Sequence, residues 1–138
     1  MTARDAARAL AGARVLAGVG LMAAPGRSAR GWLGEPARSP AVQAVLRAMG
    51  VRDLVLGALT LHVVDHPGAG HRTVATAAVC DVVDCAAFLA ARDHLPRAGG
   101  GAVILVAGTF AVAGLALAAA LREGEGSAGG PVVPPITG

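Results

Sequence analysis

The chain has 138 residues, of which 54% are apolar and only 15% are charged, and its mean hydropathy is +0.60. Soluble domains carry about one-quarter charged residues, so this composition argues against a water-soluble domain and favours a protein embedded in a lipid bilayer. All twelve basic residues are arginines scattered along the chain, unlike the clustered basic face of a nucleic-acid-binding protein. We therefore expect the lipid bilayer as a partner and no nucleic acid.

The N-terminal third of the chain predicts one transmembrane helix and a loop. The helix covers about residues 5–24, and Gly12, Gly18 and Gly20 give it a small-residue face suited to close helix packing in lipid. A cleaved signal peptide is the alternative, but a charged residue interrupts the apolar region. Residues 25–40 contain three prolines and three glycines, which favour a loop. Trp32 in this loop suits the lipid headgroup level.

Three further apolar segments predict helices at about residues 41–64, 72–92 and 99–121. The last of them has no charged side chain and is longer than the roughly 20 residues that cross the hydrocarbon. Residues 122–138 are rich in Gly, Ser and Pro and predict a disordered tail. The expected fold is thus an all-α integral membrane bundle of four transmembrane helices, occupying residues 1–121.

Charged residues interrupt three of these four segments near their centres. In an antiparallel hairpin, residues equally far from the turn lie at the same depth, which places all of these charges at one level. We call this set the charged layer: Arg14, Arg52, Asp53, Asp81 and Asp84. Because a charge at the centre of a transmembrane helix costs about 2.5–3.5 kcal/mol on the insertion scale, these side chains need partners or a function.

The depths predict specific ion pairs within the charged layer. Arg52 falls opposite Asp84, and Asp53 falls at the depth of Arg14. Two arginines against three aspartates leave Asp81 as the carboxylate without a cation. It is therefore the candidate for holding a proton.

Two interpretations of the charged layer stay open at this point. It can be an ion-pair network that fixes how the helices pack, or it can be a proton, ion or small-molecule site at the membrane midplane. The first favours an accessory or self-associating membrane module, as a homo-oligomer or in a larger membrane complex. The second favours a proton-coupled or small-solute carrier.

The sequence gives little support for a metal site or for catalysis. His62 and His66 are four residues apart on one helix face, but they lie at a helix end and lack the glutamate of an HExxH zinc motif, so no metal site is expected. The sequence contains no GxSxG motif, no P-loop, and no GxGxxG that follows a predicted β-strand, as the dinucleotide-binding fingerprint requires. We therefore expect no cofactor and no catalytic residues, and the missing motifs disfavour a third interpretation, a membrane-embedded enzyme subunit.

Three stretches of the chain carry a family resemblance. They are Ala24-Pro25-Gly26-Arg27, then the segment from Arg47 to Gly57 with its Gly-x-Arg-Asp-Leu-x-Leu-Gly pattern, and then Asp81 with Asp84. Over about residues 8–121 the chain resembles a family of small actinobacterial four-helix membrane proteins of unknown function. The resemblance implies a four-helix fold and a location in the cell membrane, as a multi-pass protein, and it implies no activity.

Overall fold

The structure is a computed structural model that describes residues 1–128. Five α-helices make up most of this region: α1 (Ala3–Ala23), α2 (Pro25–Leu33), α3 (Pro40–Val63), α4 (Gly70–Ala90) and α5 (Arg97–Ala128). Short 3₁₀ segments, Glu35–Arg38 and Arg92–His94, precede α3 and follow α4. Residues 1–128 contain no β-strand, so the expectation of an all-α fold is confirmed.

The first helix begins at a capping box. Thr2 Oγ1 accepts a hydrogen bond from the Asp5 backbone N–H, and the Asp5 carboxylate accepts one from the Thr2 backbone N–H. Each interaction satisfies a backbone donor that a helix N-terminus would otherwise leave without a partner. The start of α1 is therefore defined by the sequence Thr-x-x-Asp, two residues before the predicted boundary.

The closest helix pairs are α1 with α3 and α4 with α5. Glycine makes the first of these contacts possible, because a Cβ on Gly18 would stand 2.6 Å from Gly50 O, and one on Gly57 would stand 2.7 Å from Ala11 O. Residue numbers rise along α3 as they fall along α1 in these contacts, so the two helices are antiparallel. The turn between α3 and α4 is short, as expected, but those two helices touch less extensively.

Apolar clusters fill both ends of the bundle, and the charged layer lies between them. One cluster joins the start of α1 to the end of α5 and consists of Ala7, Val64, Val74, Ala118 and Leu121. The other joins α2 to the start of α3 around Ala29, Ala37 and Leu46. Both clusters contain alanines, small residues that allow helices to pack closely in lipid.

Three helices, α1, α4 and α5, are long and apolar enough to cross a membrane. By this criterion, the predicted number of transmembrane helices, four, is one too many. The exception is α3, which matches the others in length but carries Arg47, Arg52 and Asp53. Length and composition thus support membrane association, through three helices rather than four.

The loop predicted for residues 25–40 is wrong in its first half. Pro25 opens the helix α2, because proline at the first helical position loses no hydrogen bond and already has a helical φ. Gly34 ends it with a φ of +67°, which a glycine adopts without steric cost. Prolines and glycines here mark the boundaries of a helix and do not exclude one.

The tail predicted to be disordered from residue 122 is helical as far as Ala128, where the description ends. The reason is a contact at the far end of the bundle, where Glu125 Oε2 accepts a hydrogen bond from Gly68 N and lies 3.0 Å from His71 Nδ1. This contact ties α5 to the turn before α4. The rest of the predicted tail, residues 129–138, lies outside the described residues.

Candidate functional site

The charged layer forms one connected set of ion pairs. Asp53 Oδ1 accepts hydrogen bonds from Arg14 Nη1 at 3.1 Å and from Arg52 Nη2 at 3.3 Å. Arg52 also donates to both oxygens of Asp84, at 3.0 and 2.5 Å, and Arg14 Nη2 donates to Asp81 Oδ2. The order of contacts is Asp81, Arg14, Asp53, Arg52, Asp84, so the two signs of charge alternate along it.

The predicted pairs Arg52–Asp84 and Arg14–Asp53 are both present. The expectation that Asp81 lacks a cation is wrong, because Arg14 bridges Asp53 and Asp81 at once. A guanidinium carries five N–H donors in a planar fork and can serve two carboxylates. The prediction assigned one carboxylate to each arginine and so missed that one guanidinium can bind two.

Burial within the charged layer decreases from one side to the other. The side chains of Arg14 and Asp81 are 5% and 8% exposed, whereas that of Arg52 is 32% exposed. Arg14 also lies over the ring of Phe110, with its guanidinium carbon 5.6 Å from the ring centroid, a cation–π geometry. Arg14 therefore contacts side chains from both α3 and α4 as well as this ring on α5.

A cavity of about 310 Å³ opens beside the charged layer and extends towards α2. Arg14 and all three aspartates line its polar end, whereas Arg52 does not line it. The remaining walls are mostly apolar, from residues on all five helices, among them Leu21, Met49, Val103 and Val106. We call this space the aromatic cavity, because its lining includes Trp32, Phe88 and Phe110. These are all the Trp, Phe and Tyr residues of the chain.

Two of these rings pack against each other at the α2 end. Trp32 meets Phe88 edge to face, with ring centroids 5.4 Å apart and ring planes at 78°. This is one of the favoured arrangements of aromatic pairs. The contact joins α2 to α4 beside the aromatic cavity, and Trp32 is half-buried there.

The sequence reasoning missed the aromatic cavity, although part of its signal was present. Asp81, Asp84 and Phe88 follow one another at spacings of three and four residues, so they lie on one face of α4. That face could have suggested a ring next to the two carboxylates. The contribution of Trp32 depends on α2 being a helix, whereas the prediction for residues 25–40 was a loop with at most a short surface-lying turn at residues 29–33.

The histidines considered for metal binding are not brought to this site. The rings of His62 and His66 lie 6.1 Å apart at the end of α3, and His71 pairs with Glu125. Within residues 1–128, no three His, Cys, Asp or Glu side chains converge in a way that could hold a metal ion. The charged layer and the aromatic cavity are therefore the site that the geometry supports.

Comparison with known proteins adds no assignment: no family model, no curated protein and no solved structure matches this chain.

Proposed function

We propose that the chain is a multi-pass protein of the cell membrane, an accessory or self-associating module with four long helices, three of which are held together by the charged layer. The observation that carries this proposal is the alternating order of the ion pairs. Each of the three aspartates has an arginine partner, and the pairs join α1, α3 and α4. Charges arranged in this way are used for packing, as polar groups are in other membrane bundles.

The proposal requires α3 to cross the membrane with α1, in spite of its charges. The two helices lie side by side, from the contact of Gly57 with Ala11 to the contact of Gly18 with Gly50. A helix that accompanies a transmembrane partner over this length passes through the same depth of bilayer. In this arrangement Arg52 and Asp53 are not exposed to lipid as isolated charges, because each has an opposite charge within 3.3 Å.

The outer surface of the bundle suits this environment. Large apolar side chains are exposed on all four long helices, including Leu16, Val55, Val83, Leu105 and Val112. In water such a surface would favour aggregation, whereas in a bilayer it contacts lipid tails or another membrane helix. Membership of the actinobacterial four-helix family, which the sequence resembles, remains part of this proposal.

The proposal is tested by the topology of the two connections that flank α3. In a background with Cys80→Ala and Cys85→Ala, single cysteines are introduced as Glu35→Cys before α3 and His66→Cys after it, both at exposed positions. We expect a membrane-impermeant maleimide to label one of the two in intact cells and both after lysis. Equal labelling of the two in intact cells would show that α3 does not cross.

A carrier that uses midplane aspartates is the second candidate function. The observation that favours it is the aromatic cavity, which reaches Asp53, Asp81 and Asp84 from one end of the bundle. Transporter substrate sites commonly lie at this depth. Four transmembrane helices are few for a pathway through the membrane, so a carrier of this size would act as an oligomer.

A further inference from the structure

We infer that the aromatic cavity is a binding site for a hydrophobic organic cation, such as an aromatic or alkyl ammonium compound. The inference rests on the bundle proposed above and gives the second candidate function a ligand class. Three properties of the cavity support it: its size, its rings and the sign of its charge.

The size and the walls suit a small organic molecule. A volume of about 310 Å³ lies at the lower end of the range of roughly 300–1,000 Å³ that ligand pockets occupy. The walls are mostly apolar, and apart from Ser28 their polar side chains belong to the charged layer or are the indole of Trp32. A ligand with an apolar body and one charged group would match this division.

The distribution of rings is the most informative feature. The chain has one Trp, two Phe and no Tyr, and all three of these aromatic residues line this cavity: Trp32, Phe88 and Phe110. Aromatic faces attract ammonium groups, and quaternary ammonium ligands are bound in cages of such rings. A bundle built otherwise from small and aliphatic side chains has thus placed its rings at one location.

The charge at the polar end is negative. The lining contains the carboxylates of Asp53, Asp81 and Asp84 and one guanidinium, that of Arg14, while Arg52 lies outside the lining. With Arg52 included, two positive charges against three negative ones leave the charged layer with an excess of one negative charge. An organic cation would balance this excess in a medium of low dielectric constant, where an unbalanced charge is costly.

Arg14 does not turn this site into an anion site. Its guanidinium donates to Asp53 and Asp81 and lies over the Phe110 ring. Its charge is thus compensated by two carboxylates and a ring face. An anion would have to compete with these groups and would meet three aspartates, so the cavity favours a cation over an anion.

The inference is tested on the purified full chain in an uncharged detergent, using the emission of Trp32. This residue is the only tryptophan, and the chain has no tyrosine, so intrinsic fluorescence reports on the cavity directly. The probe is benzyltrimethylammonium, and its control is neopentylbenzene, in which a carbon atom replaces the charged nitrogen. We expect saturable binding of the cation at least about tenfold tighter than that of the uncharged compound.

Three variants locate the binding. Asp53→Asn removes the excess charge while leaving Arg14–Asp81 and Arg52–Asp84 paired, and it should weaken cation binding about tenfold. Phe88→Leu keeps the lining apolar but removes a ring, and it should weaken cation binding about fivefold while leaving neopentylbenzene unaffected. Asp65→Asn changes a carboxylate outside the cavity and should bind as the wild type does.

Equal binding of the cation and of neopentylbenzene would overturn the inference, and so would the absence of saturable binding in a folded chain. If Asp53→Asn does not fold, the inference is still tested by Phe88→Leu and by the titrations of the wild-type chain with benzyltrimethylammonium and with neopentylbenzene. The topology experiment has an independent outcome, because labelling reports on α3 and not on the cavity. A bundle with the proposed topology that binds no cation would leave only the packing role.

Discussion

Among single residues, Arg14 contributes most to the charged layer. Its side chain is 5% exposed and serves Asp53 and Asp81, which come from two different helices. Removing one partner of a buried ion pair leaves the other charge without compensation, which costs more than the pair itself contributes. For Arg14 this cost applies to two carboxylates at once.

We expect Arg14→Gln to lower the free energy of unfolding by about 3–5 kcal/mol, because glutamine cannot neutralise Asp53 and Asp81. Thermal unfolding in an uncharged detergent measures this loss. The matched control is Arg8→Gln in the same helix, where the arginine pairs with Asp5 and Asp65 but is 42% exposed. A surface pair of this kind contributes about 0–1 kcal/mol, so the control should unfold close to the wild type.

The substitution Asp53→Asn tests whether the charged layer depends on the bridging oxygen of Asp53 or on the pairing of opposite charges. Asp53 lies at the centre of the alternating order, and without its charge each arginine still has a carboxylate of its own. We expect this variant to lose clearly less stability than Arg14→Gln in the same detergent. Equal losses would mean that the layer depends on the bridging oxygen of Asp53 and not on the pairing of opposite charges.

At the scale of secondary-structure elements, the contact between α1 and α3 depends on glycine. A Cβ on Gly18 would stand 2.6 Å from Gly50 O and 2.7 Å from Leu54 N, and both are backbone atoms that cannot rotate away. We expect Gly18→Ala to separate the two helices and to destabilise the bundle by about 1–3 kcal/mol, as overpacking does in cores. Thermal unfolding in detergent is again the measurement.

The same substitution at Gly12 is the control for this prediction. A Cβ there would meet no atom within 4 Å, and alanine favours a helix over glycine by up to about 1 kcal/mol. Gly12→Ala should therefore be neutral or stabilising. A similar loss for both variants would indicate that the close approach of α1 and α3 does not limit stability.

The comparison of these two glycines also shows how far sequence can predict helix contacts. Gly12, Gly18 and Gly20 were expected to form one small-residue face, but at 100° per residue they point in different directions. Only Gly18 lies at the α3 contact. Composition indicated that helices pack closely here, whereas the angular position of each residue decided which glycine is used.

The charged layer was predicted more successfully than the rest of the site. Hairpin geometry requires only equal distances from a turn, and this was enough to pair Arg52 with Asp84 and Arg14 with Asp53. The partner of Asp81 was missed because it depends on the reach of one guanidinium. The aromatic cavity was missed because Trp32 comes from α2, whose helical state depends on its packing against the rest of the bundle.

At the scale of the whole molecule, one contact closes the end of the bundle opposite α2. Glu125, near the end of α5, accepts a hydrogen bond from Gly68 N and pairs with His71. The contact lies beyond the charge-free part of α5, which runs from residue 99 to residue 121. This contact therefore stabilises the part of α5 that extends beyond the apolar segment.

We expect Glu125→Ala to release the last turns of α5, because the alanine side chain offers no acceptor to Gly68 N or His71. Amide hydrogen exchange in residues 122–128 should accelerate, while exchange in the central part of α5 should not change. Glu123→Ala is the control, since Glu123 is exposed and two residues away. Unchanged exchange in the Glu125 variant would show that the helix persists without this contact.

The alternating order of ion pairs starts and ends on α4, and this has a consequence for how the protein is made. When α1 and α3 have left the ribosome, their part of the charged layer consists of two arginines and only one carboxylate. Both missing carboxylates arrive with α4, and the apolar part of α5 adds no charge after it. With the proposed topology, the charged layer is therefore completed only when α4 is synthesised. Until Asp81 is made, the first two long helices hold one arginine of the layer without a carboxylate.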